Sequence, residues 1–246
     1  MIDPIAFSIF NLDVYWYGIF YVIAFAFGYW FLMKFGQKSG FKKDFLEDTF
    51  FWFLIISVLG GRLFHVIFYE PSYYFNNIGE IIRLDKGGMS IHGGIFFGAL
   101  FLWYQSRKFN VNFFKLTDLF VIPAAFGTAI GRVANAINQE LVGKVTNNSF
   151  GLVFNSVDDN LRHPSMLYDS VKNMFTFQIL SFMYFFQNLK PGVLTVWFLL
   201  LFNGLRLITE FFKEEAILFF GFITMGHLIS LSFVIFAIWL YYAKVK

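Results

Sequence analysis

The sequence predicts an all-α integral membrane protein with seven transmembrane helices. Three observations carry this. Of 246 residues, 58% are hydrophobic and only 14% are charged, whereas soluble domains carry about 25% charged residues. Apolar stretches of roughly 20 residues, the length a bilayer requires, recur along the whole chain. Lysine and arginine cluster in alternate connecting loops, as they do when every second loop faces the cytoplasm.

The spans follow in order. Residues 14–33 are uncharged and qualify outright. Residues 50–69 form the second span, with Arg62 and His65 near its far end. Residues 88–104 form a short third span that begins glycine-rich. Residues 116–132 form the fourth and run into a polar stretch. Residues 166–189 are the most polar span, where Asp169 and Lys172 lie one turn apart and pair at helical spacing. Residues 191–212 carry Arg206 and Glu210, and residues 216–243 carry His227. No Ser/Pro-rich linker divides the chain, so one domain over 1–246 is expected. A short extracytoplasmic segment is expected at about 139–163.

Loop charge sets the orientation. Lys34, Lys38, Lys42, Lys43, Arg107, Lys108, Lys115, Lys190, Lys244 and Lys246 fall on one side. Arg83, Lys86, Lys144, Arg162 and Lys213 fall on the other. The richer side is cytoplasmic by the positive-inside rule, which puts the N-terminus outside and the C-terminus inside. Met1-Ile2-Asp3-Pro4 has no basic n-region and does not read as a cleavable signal peptide. No basic run points to nucleic acid. Cysteine is absent, which excludes disulfides, thiolate metal sites and a cysteine nucleophile supplied by this chain.

With this orientation, the ionisable residues of interest gather in the outer leaflet. These are Arg62, His65, His92, Arg132 to Glu140, Arg162, His163, Arg206, Glu210 and Lys213. Anchors that snorkel to the interface should appear at both helix ends, so the asymmetry points to one polar site. The central stretch is Gly131-Arg132-Val133-Ala134-Asn135-Ala136-Ile137-Asn138-Gln139-Glu140-Leu141-Val142-Gly143. On a helix, Arg132 and Asn135 share a face, as do Asn135 and Asn138. A guanidinium fork with two amides suits a phosphate. The alternative for such a stretch is a helix end with polar interfacial anchors.

Three further blocks carry possible chemistry. Gly87-Gly88-Met89-Ser90-Ile91-His92-Gly93-Gly94 sets one imidazole, a base near neutral pH, among glycines that permit close backbone approach to a ligand. Arg206, Glu210 and Lys213 share a helical face at i, i+4 and i+7. They form an internal ion pair that also orients Arg206. Arg162-His163-Pro164-Ser165-Met166-Leu167-Tyr168 reads as a helix start, with Ser165 or His163 as its cap. Trp16-Tyr17-Gly18 opens the first span in an interfacial aromatic belt.

Together these blocks resemble the bacterial prolipoprotein diacylglyceryl transferase family, in the family's order and over nearly the whole chain, to Met225-Gly226. The resemblance implies seven spans with the N-terminus outside, in agreement with the loop charges. It implies a multi-pass protein of the cytoplasmic (inner) membrane, its active site toward the outer leaflet. The implied partners are phosphatidylglycerol, a preprolipoprotein with a lipobox cysteine, and the surrounding bilayer. The implied reaction moves the diacylglyceryl group to the cysteine sulfur as a thioether and releases glycerol-1-phosphate. His92 is the candidate base, and Arg132 and Arg206 the candidate phosphate ligands. Asn135 and Asn138 would hold glycerol and phosphate oxygens, and Tyr17 the head group. Glu140 and Glu210 would orient the arginines or serve as alternative bases. Gly143 and His163 complete the substrate-contacting set. No cofactor and no metal are expected. Ala136 stands where the family usually has Phe, Lys213 where arginine is usual, and Phe202 where tyrosine is common, and the 143–162 segment is short. Two rival readings are another phospholipid head-group transferase on the same scaffold and an anion transporter. A transporter should carry ionisable residues near the midplane and at both faces.

Overall fold

The computed structural model describes residues 3–10, 12–83 and 87–245. Lys86 and Lys246 of the loop-charge balance, and Met1 and Ile2 of the N-terminal motif, lie outside the described residues. Eight α-helices and three short hairpins make up the described chain. The first hairpin pairs β1 (Ile5–Ile9) with β2 (Leu12–Tyr15). The others pair β3 (Leu152–Val153) with β4 (Leu161–Arg162), and β5 (Ile217–Phe219) with β6 (Ile223–Thr224). The helices are α1 (Trp16–Phe31), α2 (Lys43–Phe68), α3 (Pro71–Asn76), α4 (Ile91–Lys108), α5 (Phe113–Ile137), α6 (Ser165–Phe186), α7 (Val193–Thr209) and α8 (Met225–Leu240). The fold is therefore mostly helical; the first hairpin precedes α1 and the other two fall in segments that connect helices.

Five helical stretches are long and apolar enough to cross a membrane: Trp16–Gly36, Lys43–Phe68, Phe113–Ile137, Val193–Phe212 and Met225–Val245. The predicted third and fifth spans are also helical. At 18 residues for α4 and 22 for α6 they reach crossing length, but they fall outside that more apolar set. α6 pays for its polarity with buried Asp169, Lys172 and Asn173. α5 runs five residues past Arg132, so the central polar stretch begins inside a helix.

The chain forms two compact units, Phe31–Thr117 and the remainder. In the first, α2 packs along α4. Glycines make the contact possible. A Cβ on Gly60 would run into Phe97, one on Gly93 into Phe64 and the Gly60 carbonyl, and one on Gly98 into the Phe53 ring. The glycines of the third predicted span thus serve helix-to-helix approach, as small residues do inside bilayers.

In the other unit, α6 packs on α7 and α7 on α8. Phe27, Phe126 and Phe177 join α1, α5 and α6, with centroids 4.4–5.7 Å apart. The Ser170 hydroxyl donates to the Ala129 carbonyl at 2.9 Å. Asp118 of α5 accepts from the backbone of Gly192 and Thr195 and from the Thr195 hydroxyl, at 2.7–2.8 Å. It supplies the start of α7 with the acceptors that helix N-termini lack.

Candidate functional site

Residues from α5, α6, α7 and the segment after α7 meet around two buried carboxylates. Asp169 on α6 accepts from the Thr209 hydroxyl at 2.7 Å and pairs with Lys213 Nζ at 2.9 Å. Arg132 Nε lies 3.6 Å from it and Lys172 Nζ 3.7 Å. Glu210, fully buried, accepts from Arg206 Nε at 3.3 Å, Lys213 Nζ at 3.2 Å and the Thr224 hydroxyl at 3.0 Å. Lys213 therefore bridges the two carboxylates and ties Arg132 to Arg206 through them. A buried charge persists only where such partners offset its desolvation.

The fork ends of both arginines remain uncommitted. Among the described residues, neither Arg132 nor Arg206 donates a hydrogen bond from its terminal nitrogens. Asp169 and Glu210 hold each guanidinium from the Nε side. Such a pair of oriented, open forks fits a phosphate group.

Lys213 does not sit on the helical face expected for it. α7 ends at Thr209 and a 3-10 turn, Glu210–Phe212, follows. Lys213 itself is extended, at φ −83° and ψ 147°, and pairs in a β-bridge with Gly143. Gly143 donates its N–H to the His163 carbonyl at 2.9 Å. A Cβ on Gly143 would meet the carbonyl oxygens of Phe212 and His163, so glycine is what lets these three backbones converge and sets Lys213 in place. Gly226 does the same for Glu210, whose carboxyl would collide with a Cβ there.

Within the chain, the amides of the central stretch share a carboxylate partner, Glu140. After Ile137 the chain reverses through Gln139 and Leu141, at φ +56° and +55°. The Glu140 N–H bonds the Asn135 carbonyl at 2.9 Å. The Glu140 carboxylate then accepts from Asn135 Nδ2 at 3.0 Å and Asn138 Nδ2 at 3.3 Å. Asn138 Oδ1 is buried without a hydrogen-bond partner, an acceptor open to a hydroxyl. The Tyr17 hydroxyl stands 3.3 Å from that of Tyr21, and Tyr21 interacts electrostatically with Arg132 and Glu140.

His163 pairs through Nδ1 with the Tyr168 hydroxyl at 3.2 Å and sets its ring edge against Phe212. Neither it nor Ser165 caps α6, because the Ser165 hydroxyl donates to the Leu141 carbonyl at 2.8 Å. Arg162 is tied to Asp158, at 2.6 Å from Nη2, to Glu214, and to the Gly143 carbonyl at 3.1 Å. These hydrogen bonds hold the Asp158 carboxyl well below its usual range. Burial of its carboxyl, with a hydrogen bond to Glu210 and repulsion from it, raises Glu215 to about 7, although the residue as a whole is exposed.

The remaining residues belong to the other unit. His92 is buried in the first turn of α4. Arg62 is consumed by its own loop: it donates to the carbonyls of Ile81, Glu80, Arg83, Gly87 and Gly88 and stacks on Tyr74 at 4.9 Å. Gly87 and Gly88 sit at φ +75° and +72° to turn those carbonyls toward it. Position near a helix end did not distinguish this structural arginine from Arg132. A groove of the same unit, lined by Trp52, Ile56, Phe101, Tyr104, Gln105 and Lys108, contains none of the candidate residues. Among the described residues no three His, Asp or Glu side chains stand close enough to hold a metal ion.

Sequence reasoning left Asp169 and Lys172 as a simple pair, whereas Asp169 is a hub of the network. The available signal was two ionisable residues inside a membrane-depth helix.

A family model described as prolipoprotein diacylglyceryl transferase matches residues 4–243. The phosphatidylglycerol–prolipoprotein diacylglyceryl transferase of Rickettsia conorii is 39% identical over 238 residues, covering 93% of this chain and 92% of its own. That of Ehrlichia ruminantium (strain Gardel) is 34% identical over 96% and 95%. That of Legionella pneumophila (strain Philadelphia 1) is 34% identical over 99% and 97%.

Proposed function

The chain belongs to the prolipoprotein diacylglyceryl transferase family, and from that premise we propose how its residues divide the work. It is a membrane transferase that moves the diacylglyceryl group of phosphatidylglycerol to prolipoproteins, the first step of lipoprotein maturation. The acceptor is the lipobox cysteine, the product a thioether, and glycerol-1-phosphate leaves. Arg132 and Arg206 take the phosphate in their open forks. Asp169, Glu210 and Lys213 hold those forks apart and aimed. Asn138 and Tyr17 meet the glycerol head group, Asn135 and Glu140 brace the turn that presents them, and His163 and Gly143 frame the acceptor side. His92 takes the thiol proton.

The single observation that carries this reading is the pair of arginines, Arg206 buried and Arg132 half-buried, with uncommitted fork ends, joined through two carboxylates and one lysine. Charge aimed in advance at a developing anion is among the largest contributions an enzyme makes. In this reading residues 1–246 form one transmembrane domain of seven helices. The N-terminus is outside, the C-terminus is in the cytoplasm, and the site faces the outer leaflet of the bacterial inner membrane.

The test is direct. Purified protein in liposomes receives phosphatidylglycerol labelled in its diacylglyceryl part and a lipobox peptide. Label should appear on the cysteine sulfur. Label on a sugar or another acceptor, with none on the peptide, would assign a different head-group transfer.

A further inference from the structure

His227 stands in the first turn of α8, directly after Met225-Gly226, and none of the roles in the transfer falls to it. It is 8% exposed and lies in the same compact unit as Arg206 and Glu210. Its Nδ1 accepts the Thr224 N–H at 3.3 Å, and the Thr224 hydroxyl accepts the His227 N–H at 3.4 Å. These are the reciprocal bonds of a capping box. The Thr224 hydroxyl donates its own proton to Glu210 Oε1, while Arg206 Nε and Lys213 Nζ donate to Oε2. One carboxylate therefore orients Arg206 directly and His227 through Thr224.

An Nδ1 that accepts leaves the proton of the neutral ring on Nε2. That nitrogen is buried and, among the described residues, has no hydrogen-bond partner. The ring packs against Phe211, with centroids 4.6 Å apart. Capping does not account for the Nε2–H. A capping box asks only for an acceptor at this position, which Glu or Gln ordinarily supplies, and a buried donor left unpaired is costly. The charged groups near enough to act on the ring are Glu210, Lys144, Lys213 and Arg206. Of these, Arg206 holds an open fork suited to a phosphate, so a phosphate bound by that fork brings oxygen acceptors to the neighbourhood of His227.

Resting on the transferase reading, we propose that His227 is a further substrate-binding residue, whose Nε2–H donates to a phosphate oxygen of the phosphatidylglycerol held by Arg206. The donor is neutral and directional. Its ring is fixed by the cap at Nδ1 and by Phe211 on its side, so little freedom is lost when the phosphate arrives. Thr224 is the coupling element: it passes the position of Glu210, and hence of Arg206, to the ring. The contact is made to the diester and is kept by the phosphate monoester that leaves. An interaction present in both states serves lipid binding more than the chemical step.

The experiment compares His227→Gln with His227→Asn in purified, correctly inserted protein. Glutamine carries an amide N–H to the place of Nε2, whereas asparagine ends near Nδ1 and offers only the acceptor of the cap. Calorimetric affinity for short-chain phosphatidylglycerol should stay close to wild type in His227→Gln. In His227→Asn it should fall roughly tenfold or more, the effect of one hydrogen bond to a charged group. KM should rise in the same order, with little change in kcat. If the histidine only caps α8, asparagine serves as well as glutamine, so equal affinities in the two variants would overturn the proposal. Wild-type protein gives an independent reading. Its nitrogen-labelled histidine spectrum contains four side chains, and the Nε2–H signal absent from His227→Gln belongs to His227. That signal should move downfield on saturation with glycerol-1-phosphate, which carries the phosphate and no acyl ester. A signal that stays in place, or that moves with phosphatidylglycerol alone, would overturn phosphate as the acceptor. Both measurements omit the peptide, so the expected results from a protein that labels no lipobox peptide would remove the transferase reading alone.

Discussion

At the scale of single residues, the forks and their holders make distinct demands. Arg132→Lys keeps the charge but replaces a two-toothed donor with a point charge. The loss of one charge-assisted contact costs about 1.5–3 kcal/mol, so transfer should fall roughly tenfold to a hundredfold in membranes of equal protein content. Near-normal transfer would make Arg132 an interfacial anchor. Asp169→Asn keeps the size but removes the charge that Lys213 and Arg132 share. Breaking a buried ion pair costs about 3–5 kcal/mol, so the variant should melt at a lower temperature and lose transfer, and Asp169→Glu should recover part of both. An Asp169→Asn protein with wild-type melting and turnover would mean that the hub is dispensable. For His92, general-base assistance is worth about 10²–10⁴-fold. His92→Gln should lose at least the lower part of that range while phosphatidylglycerol still binds. Its pH–rate profile should also lose the acid limb caused by protonation of the imidazole. A mutant that keeps that limb would move the base to Glu140 or Glu210.

At the scale of elements, packing and turns decide what the residues can do. The α2–α4 contact leaves no room at Gly93, where a side chain would press on Phe64 and on the Gly60 carbonyl. Overpacking of this kind costs about 1–3 kcal/mol, so Gly93→Val should lower the melting temperature and expose the first unit to protease. An unaffected variant would mean that these helices separate without consequence. The β3–β4 hairpin is held by Arg162 through Asp158 and Glu214. Asp158 has its folded pKa depressed, so the stability it adds is fully present above the ordinary carboxylate range and is lost as pH falls through the lower folded value. Hydrogen exchange in residues 152–162 should therefore stay slow at neutral pH and accelerate only under strongly acidic conditions. Acceleration already near pH 5 would contradict the pairing.

At the scale of the whole molecule, the open question is which way the helices run. A reporter fused after Lys43 should read cytoplasmic and one fused after Asn155 should read outside, because ten basic loop residues oppose five. The reverse result for both would move the site to the inner leaflet. A network this polar is tolerated at membrane depth because its cations and carboxylates neutralise one another in large part, and the apolar exterior of the helices faces lipid.

Composition and span length alone determined that this is a helical membrane protein, since every backbone group in a bilayer must be satisfied within a helix or a closed barrel. The order of motifs likewise carried the family, and helical spacing placed Arg132 beside Asn135 and Arg206 beside Glu210. Spacing reports only neighbours on one element. It could not reveal that Asp169 and Glu210 share Lys213, because that contact joins α6 to a segment whose backbone leaves the helix before it. Nor could it separate Arg62, whose donors are used up by five loop carbonyls, from Arg132, whose fork stays open: both are arginines near a helix end. Which charged side chain is spent on the fold and which is free for a ligand depends on partners distant in sequence, and only the tertiary structure brings those partners together.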